Sequence, residues 1–246
     1  MSNLYTNISL VANLHKKASS KSEIVTQIIF GERFSIQKKL RYWLKIKVKE
    51  DGYKGYIKRN TYCQFLNPTH KVCNLKANVY KSPNFKKKVC DLTFGSKIKV
   101  IEKKTNFFRF YKGWINRKDL KNIKYNEKDY FKRIKIFKNI KYKWGGKSFK
   151  GIDCSALVQI FLNFNNIFCP RDAKDQHKYF KKNVQLKDIK KNDIIFWKGH
   201  VAVALSKKKL IHAYGPKKKT IIMGINQTIK RIEKTAKLKV IGIKRL

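Results

Sequence analysis

One cysteine of this sequence stands where a thiol could do covalent chemistry. Cys154 follows a glycine- and polar-rich stretch, KWGGKSFKGID (143–153), and opens an apolar run, CSALVQIFLNF (154–164). That junction predicts a helix with the cysteine in its first turn. A thiol becomes a useful nucleophile when its thiolate is stabilised, by the positive end of a helix dipole or by a neighbouring imidazolium. Two histidines lie in strand-like contexts downstream. His200 opens the run Val201-Ala202-Val203-Ala204-Leu205, and His212 closes Leu210-Ile211. Adjacent antiparallel strands place them side by side, with His200 as base and His212 orienting it, the general form of a catalytic triad. The other three histidines, His15, His70 and His177, fall in polar surroundings and read as solvent-facing. On spacing alone a second reading stays open, in which Cys154 is a small buried hydrophobe and the two histidines are satisfied core residues.

The elements that must hold these residues are legible in outline. From about residue 140 onward, 154–166 reads as a buried helix and 192–205 as two strands joined by a tight turn. Further strands are expected at 209–214, 220–225 and 237–244, giving an α+β unit. The lysine-rich segment 121–140 has apolar residues at helical spacing and reads as a linker and helix leading into that unit.

The first half carries a weak internal repeat. FGERFSI (30–36) and FGSKIKV (94–100) are each followed by alternating aromatic and basic residues, and each copy closes on Gly-aromatic-Ile, at 55–57 and 113–115. Alternation with period two, broken by glycine turns, predicts short half-buried strands. Two copies of this kind predict two small β-barrels in tandem, with NPTHKVCN (67–74) as the linker.

Composition narrows the classes. With 246 residues, 42% hydrophobic, the chain can build several cores and is not of the disordered class. No apolar run approaches the ~20 residues of a membrane span, and MSNLYTNISLVANLHKK does not read as a signal peptide. The net charge of +45 attracts polyanions, but the lysines are spread along the whole length, with no localised stripe and no nucleic-acid module. Five cysteines, an odd number without a CxxC pair, point to neither a disulfide framework nor a zinc site and fit a reducing compartment.

Six blocks in one order resemble the NlpC/p60 family of papain-like cell-wall peptidases. They are Tyr142-x-Trp144-Gly145-Gly146; Gly151-Ile152-Asp153-Cys154-Ser155-x-Leu157-Val158-Gln159; Pro170-Arg171-Asp172-Ala173-x-x-Gln176; Asn192-Asp193-Ile194-Ile195-Phe196; Gly199-His200-Val201-Ala202-Val203; and Leu210-Ile211-His212-Ala213. Ala156 and Asn192 stand where the family pattern has glycine, and neither change removes a functional group. The first half resembles bacterial SH3 domains, through Leu14-His15-Lys16 and Val79-Tyr80-Lys81, the Phe-Gly turns and the closing Gly-Tyr/Trp-Ile.

The resemblance implies a multidomain chain: SH3-like barrels at 1–66 and 67–122, then a papain-like α+β peptidase domain at 123–246. It implies Cys154 as nucleophile, His200 as base and His212 as the polar third member, with no metal or organic cofactor. Asp153 and Ser155 read structurally as helix caps. In family members with N-terminal SH3 domains the matching residues bind the free amine of a substrate L-alanine, and a tyrosine of the first SH3 domain walls off the pocket. Tyr53 best fits that tyrosine, with Tyr56 as the alternative. Arg171 reads as a structural ion pair or as a partner for a substrate carboxylate, and Trp144 and Trp197 as packing residues. The implied reaction is hydrolysis of the γ-D-glutamyl–diamino acid bond of peptidoglycan-derived stem peptides, in cytoplasmic recycling. Two rivals stay open: a hydrolase of the intact wall, and a non-catalytic basic protein that binds an anionic polymer.

Overall fold

The computed structural model describes residues 4–59 and 62–246. The chain divides into two compact units, residues 1–125 with 147–149, and residues 126–146 with 150–246.

The first unit is all β. Its N-terminal half is one antiparallel sheet of strands Ile24–Ile29, Val11–His15, Lys54–Lys58, Trp43–Val48, Arg33–Lys39, Leu4–Asn7 and Tyr62–Gln64, in that spatial order. Every second residue along these strands turns inward, and Leu14, Ile28, Phe34, Leu44, Ile46 and Val48 close over one core. The second half builds a second core, around Val72, Val79, Leu92, Ile98, Phe110 and Ile115, from a five-stranded and a three-stranded sheet, and Phe30 of the N-terminal half joins it. The repeated Phe-Gly turns have one cause. Phe30 and Phe94 are buried, and the glycines after them sit at φ +85° and +81°, backbone that a side chain resists. At Gly31 the requirement is also steric, since a Cβ there would lie 2.0 Å from the carbonyl oxygen of Lys97.

Residues 147–149 belong to this first unit. Lys147 is buried with Glu32, its Nζ 2.6 Å from Glu32 Oε1, while Glu32 Oε2 accepts from the backbone N–H of Ile29. The two charges satisfy one another where neither could stand alone.

The second unit is α+β. An antiparallel sheet runs in the order Lys182–Asn183, Val240–Arg245, Ile194–Trp197, His200–Ala204, Lys209–Tyr214 and Lys219–Gly224. Helix α1 (Cys154–Phe164) is buried along nearly its whole length and packs against the His200–Ala204 and Lys209–Tyr214 strands. Helix α2 (Ala173–Tyr179) contacts α1, and α3 (Ile225–Ala236) lies between the last two strands in sequence. Ile225 and Ile232 of α3 join the sheet's core with Trp197 and Leu210.

Several sequence expectations are corrected here. Segment 121–140 forms no α-helix: it holds the end of the Leu120–Asn122 strand and a 3-10 turn at Ile134–Phe137. Phe131, Ile134 and Phe137 recur every three residues, the period of a 3-10 turn, and all three are buried. The stretch 67–74 is no plain linker: His70–Val72 is a strand paired with Lys97–Ile98 and Leu120–Asn122, because Lys71 and Val72 are buried. His15 is buried rather than solvent-facing, edge-on to Trp43 with Nδ1 3.1 Å from the Ser22 carbonyl. His70 and His177 are half-buried. Trp197 is a packing residue, but Trp144 is 61% exposed.

Candidate active site

Cys154 is the first residue of α1, and Asp153 is its N-cap. Asp153 Oδ1 accepts from the backbone N–H of Ala156 at 2.8 Å, one of the donors a helix start leaves open. Its Oδ2 accepts from the backbone N–H of Gly145 at 2.9 Å. Arg171 spans both carboxylate oxygens, at 3.0 and 2.5 Å, and its Nη1 also donates to Ser155 Oγ at 2.8 Å. Gln176 of α2 donates to the carbonyls of Ser155 and Pro170, both at 2.9 Å, and so fixes the Arg171 segment against α1. Asp153, Ser155 and Arg171 are all buried. Of the two roles the sequence left open for Arg171, the structure fills the ion pair.

His200 opens its strand and His212 lies on the next one. The pairs Val203–Ile211 and Ala204–Leu210 set the register between these strands. Continuing it places His200 opposite Tyr214 and diagonal to His212, all on one face. His200 Nε2 and His212 Nδ1 are 2.9 Å apart. The Tyr214 ring stacks on His212 at 4.6 Å and 12° and holds its plane. With Nε2 engaged, His200 presents Nδ1 for other chemistry.

The thiol lies against the start of the His200–Ala204 strand. The backbone N–H groups of Val201 and Ser155 reach the sulfur of Cys154 and favour its thiolate. They are outweighed. Burial, with the Asp153 carboxylate second, pushes the thiol up to about 12. Burial pulls His200 down to about 4, and burial with its neighbour His200 pulls His212 down to about 3. Both shifts favour the uncharged forms, a thiol and a neutral imidazole. Desolvation and the Asp153 carboxylate therefore work against the thiolate that the helix start and its backbone N–H groups favour.

Sequence reasoning passed over Tyr142. It pairs in parallel with Ile152, its ring lies against Gly215, and burial, with Cys154 and the Asp153 carboxylate nearby, raises its phenol well above the ordinary range. It was visible only as the first residue of the Tyr-x-Trp-Gly-Gly block. Tyr53 lies in the first unit, half-buried against the Leu14–Phe34 core, its backbone N–H donating to Asp51 Oδ1 at 2.9 Å.

Comparison with known proteins follows the same division. The sequence pattern of the NlpC/P60 family matches residues 139–235, and that of a bacterial SH3 domain matches residues 10–62. A Bacillus subtilis (strain 168) protein named gamma-D-glutamyl-L-lysine dipeptidyl-peptidase is 26% identical over 230 residues, covering 84% of this chain and 77% of its own. A Lysinibacillus sphaericus protein named dipeptidyl-peptidase 6 is 25% identical over 237 residues, covering 84% and 86%. The crystal structure of an NlpC/P60 family protein from Bacillus cereus ATCC 10987 superimposes with a TM-score of 0.84 at 19% identity, covering 98% of this chain and 99% of that one, which shows a shared fold. This chain thus carries an NlpC/P60 family domain behind a bacterial SH3 domain.

Proposed function

We propose that this protein is a cysteine peptidase that hydrolyses the bond between γ-D-glutamate and a diamino acid in peptidoglycan stem peptides bearing a free N-terminal L-alanine. The observation that carries the chemistry is the thiol of Cys154 at a helix start, reached by the backbone N–H of Val201, next in sequence to a histidine whose Nε2 is held 2.9 Å from His212 Nδ1. The names of the Bacillus subtilis and Lysinibacillus sphaericus relatives support the substrate class.

Because thiol and imidazole start neutral, the Sγ proton passes to His200 as sulfur attacks the γ-carbonyl. Backbone N–H groups at the start of α1 stabilise the oxyanion. The intermediate collapses as His200 protonates the departing amine of the diamino acid, leaving a thioester on Cys154. Water, deprotonated by His200, then releases the L-alanyl-D-glutamate half and restores the thiol. Asp153 and Ser155, held by Arg171, form the polar end that receives the substrate amine, since an ammonium out of water needs a carboxylate. The first unit is two SH3-like barrels, a reading supported by its two cores and paired Phe-Gly turns. A free L-alanine exists only after the peptide has left the glycan, which suits cytoplasmic recycling better than cutting of the intact wall. Five free cysteines agree with that compartment.

The test is mass spectrometry of purified protein with L-Ala-γ-D-Glu-L-Lys and with the meso-diaminopimelate peptide, each free and N-acetylated, alongside Cys154→Ala. Release of the diamino acid from the free peptides alone, lost in the variant, is the expected result. Cleavage of the acetylated peptides discards the amine clamp. No cleavage by folded protein discards the peptidase.

A further inference from the structure

The second unit holds a polar cleft of about 480 Å³ that the chemistry above does not use. Its cationic wall is Lys187, Lys190, Lys207 and Arg245, joined by the amides of Asn183 and Gln185, with Asp188 as its carboxylate. These residues come from three places: the segment 183–190, the turn after the His200–Ala204 strand, and the end of the Val240–Arg245 strand. The cleft lies beyond the far end of the strand that His200 opens. At ~3.4 Å per residue it is therefore separated from His200 by roughly 15 Å of strand.

Charge in the cleft is unevenly committed. Arg245 is bidentate to Asp193, with Nε and Nη2 each 2.7 Å from a carboxylate oxygen, and its Nη2 also donates to the Asp188 carbonyl. Asp193 is itself buried and caps the backbone N–H of Lys190 at 2.7 Å, so it is fully occupied. Lys244 donates to Asn183 Oδ1 at 2.7 Å, which fixes the orientation of that amide and adds positive charge behind it. Arg245 and Asp193 cancel, and Asp188 offsets one of the three lysines. About two positive charges of the lining remain for a ligand.

We propose that this cleft is a binding site for a phosphate monoester dianion. Three flexible ammonium groups suit a tetrahedral dianion, which offers a separate oxygen to each. The Asn183 and Gln185 amides add neutral donors that a phosphate oxygen accepts from. A carboxylate monoanion would leave the cleft positively charged, and a long polyanion would need charge continuing beyond it. The same group occurs on a soluble sugar phosphate and on a phosphatidic acid headgroup.

The full-length protein is titrated by calorimetry with inorganic phosphate against sodium chloride at equal ionic strength, then with glucose 6-phosphate and with vesicles containing phosphatidic acid. Lys187→Gln/Lys190→Gln/Lys207→Gln removes the free charges. Lys230→Gln/Lys234→Gln/Lys237→Gln removes as many from the exposed face of α3 and its end, and circular dichroism checks that both variants fold. The expected result is saturable phosphate binding, weakened about tenfold or more by the cleft variant and left nearly unchanged by the α3 variant. Saturation by the soluble ester supports the site for free phosphate esters. Saturation by vesicles alone supports it for a headgroup. Equal weakening in both variants, or no saturation by any probe beyond chloride, overturns the proposal. Cys154→Ala retains the binding, so failure of the peptidase reading leaves this result unaffected.

Discussion

At the scale of single residues, the sequence pointed to Cys154, His200 and His212 but not to their resting charge. Cys154, His200 and His212 lie in the elements that pattern and resemblance assigned them, because a helix start and two apolar strands are strong local signals. The protonation state depends on burial, which only the folded sheet provides. Two expectations follow. The ultraviolet absorbance of thiolate should not differ between the protein and Cys154→Ala at pH 7.5, and a difference should develop only in strong alkali. A clear difference at neutral pH would restore the preformed ion pair. The histidine pair should also make the second unit acid-sensitive. Folded values near 4 and 3 lie below the unfolded value of about 6.5. The unfolded chain thus binds more protons as pH falls, so stability is full above about 6.5 and declines through the folded values. Each histidine contributes a slope of about 1.4 kcal/mol per pH unit. His212→Asn should reduce that slope for hydrogen exchange of the 200–214 strands between pH 6.5 and 4.5, while its side-chain oxygen still accepts from His200 Nε2. An unchanged slope would mean that His212 is already charged in the fold.

Elements explain why the nucleophile's surroundings were only half legible. Asp153 and Ser155 were recognisable as helix-start residues, but their partner Arg171 is 18 residues from Asp153 in sequence and no local pattern links them. The same limit hid Tyr142, whose neighbours Ile152 and Gly215 come from opposite sides of α1 in sequence. Helix α3 was missed because its polar face outweighs Ile225 and Ile232 in any short window. The Arg171 clamp has a definite energetic consequence. Arg171→Ala leaves the buried Asp153 carboxylate without its counter-charge at the start of a helix that forms the core. The second unit should lose about 3–5 kcal/mol, and Asp153→Asn/Arg171→Met should recover most of it, read from urea midpoints. If the double variant is no more stable than Arg171→Ala, the loss lies in the hydrogen bond to Ser155 and not in the orphaned charge.

For the whole molecule the governing quantity is charge. The chain has 60 lysines and arginines against 15 aspartates and glutamates. Among the described residues, at least nine of those carboxylates already sit in ion pairs: Glu23, Glu32, Glu50, Asp91, Glu102, Glu127, Asp129, Asp153 and Asp193. Fifteen carboxylates cannot offset sixty cations, so a large positive surplus remains. In an ordinary protein, added salt weakens surface ion pairs and shifts stability little. Here the long-range repulsion between like charges is the larger effect, and it falls once the screening length drops to about 10 Å at 0.1 M salt. Sodium chloride should therefore raise the urea midpoint of both units over the range from low to physiological ionic strength. The buried Lys147–Glu32 and Arg171–Asp153 pairs, shielded from solvent, should contribute nothing to that trend. A midpoint that falls with salt would mean that the ion pairs outweigh the repulsion, and that the lysine surplus is spread widely enough to carry no energetic cost.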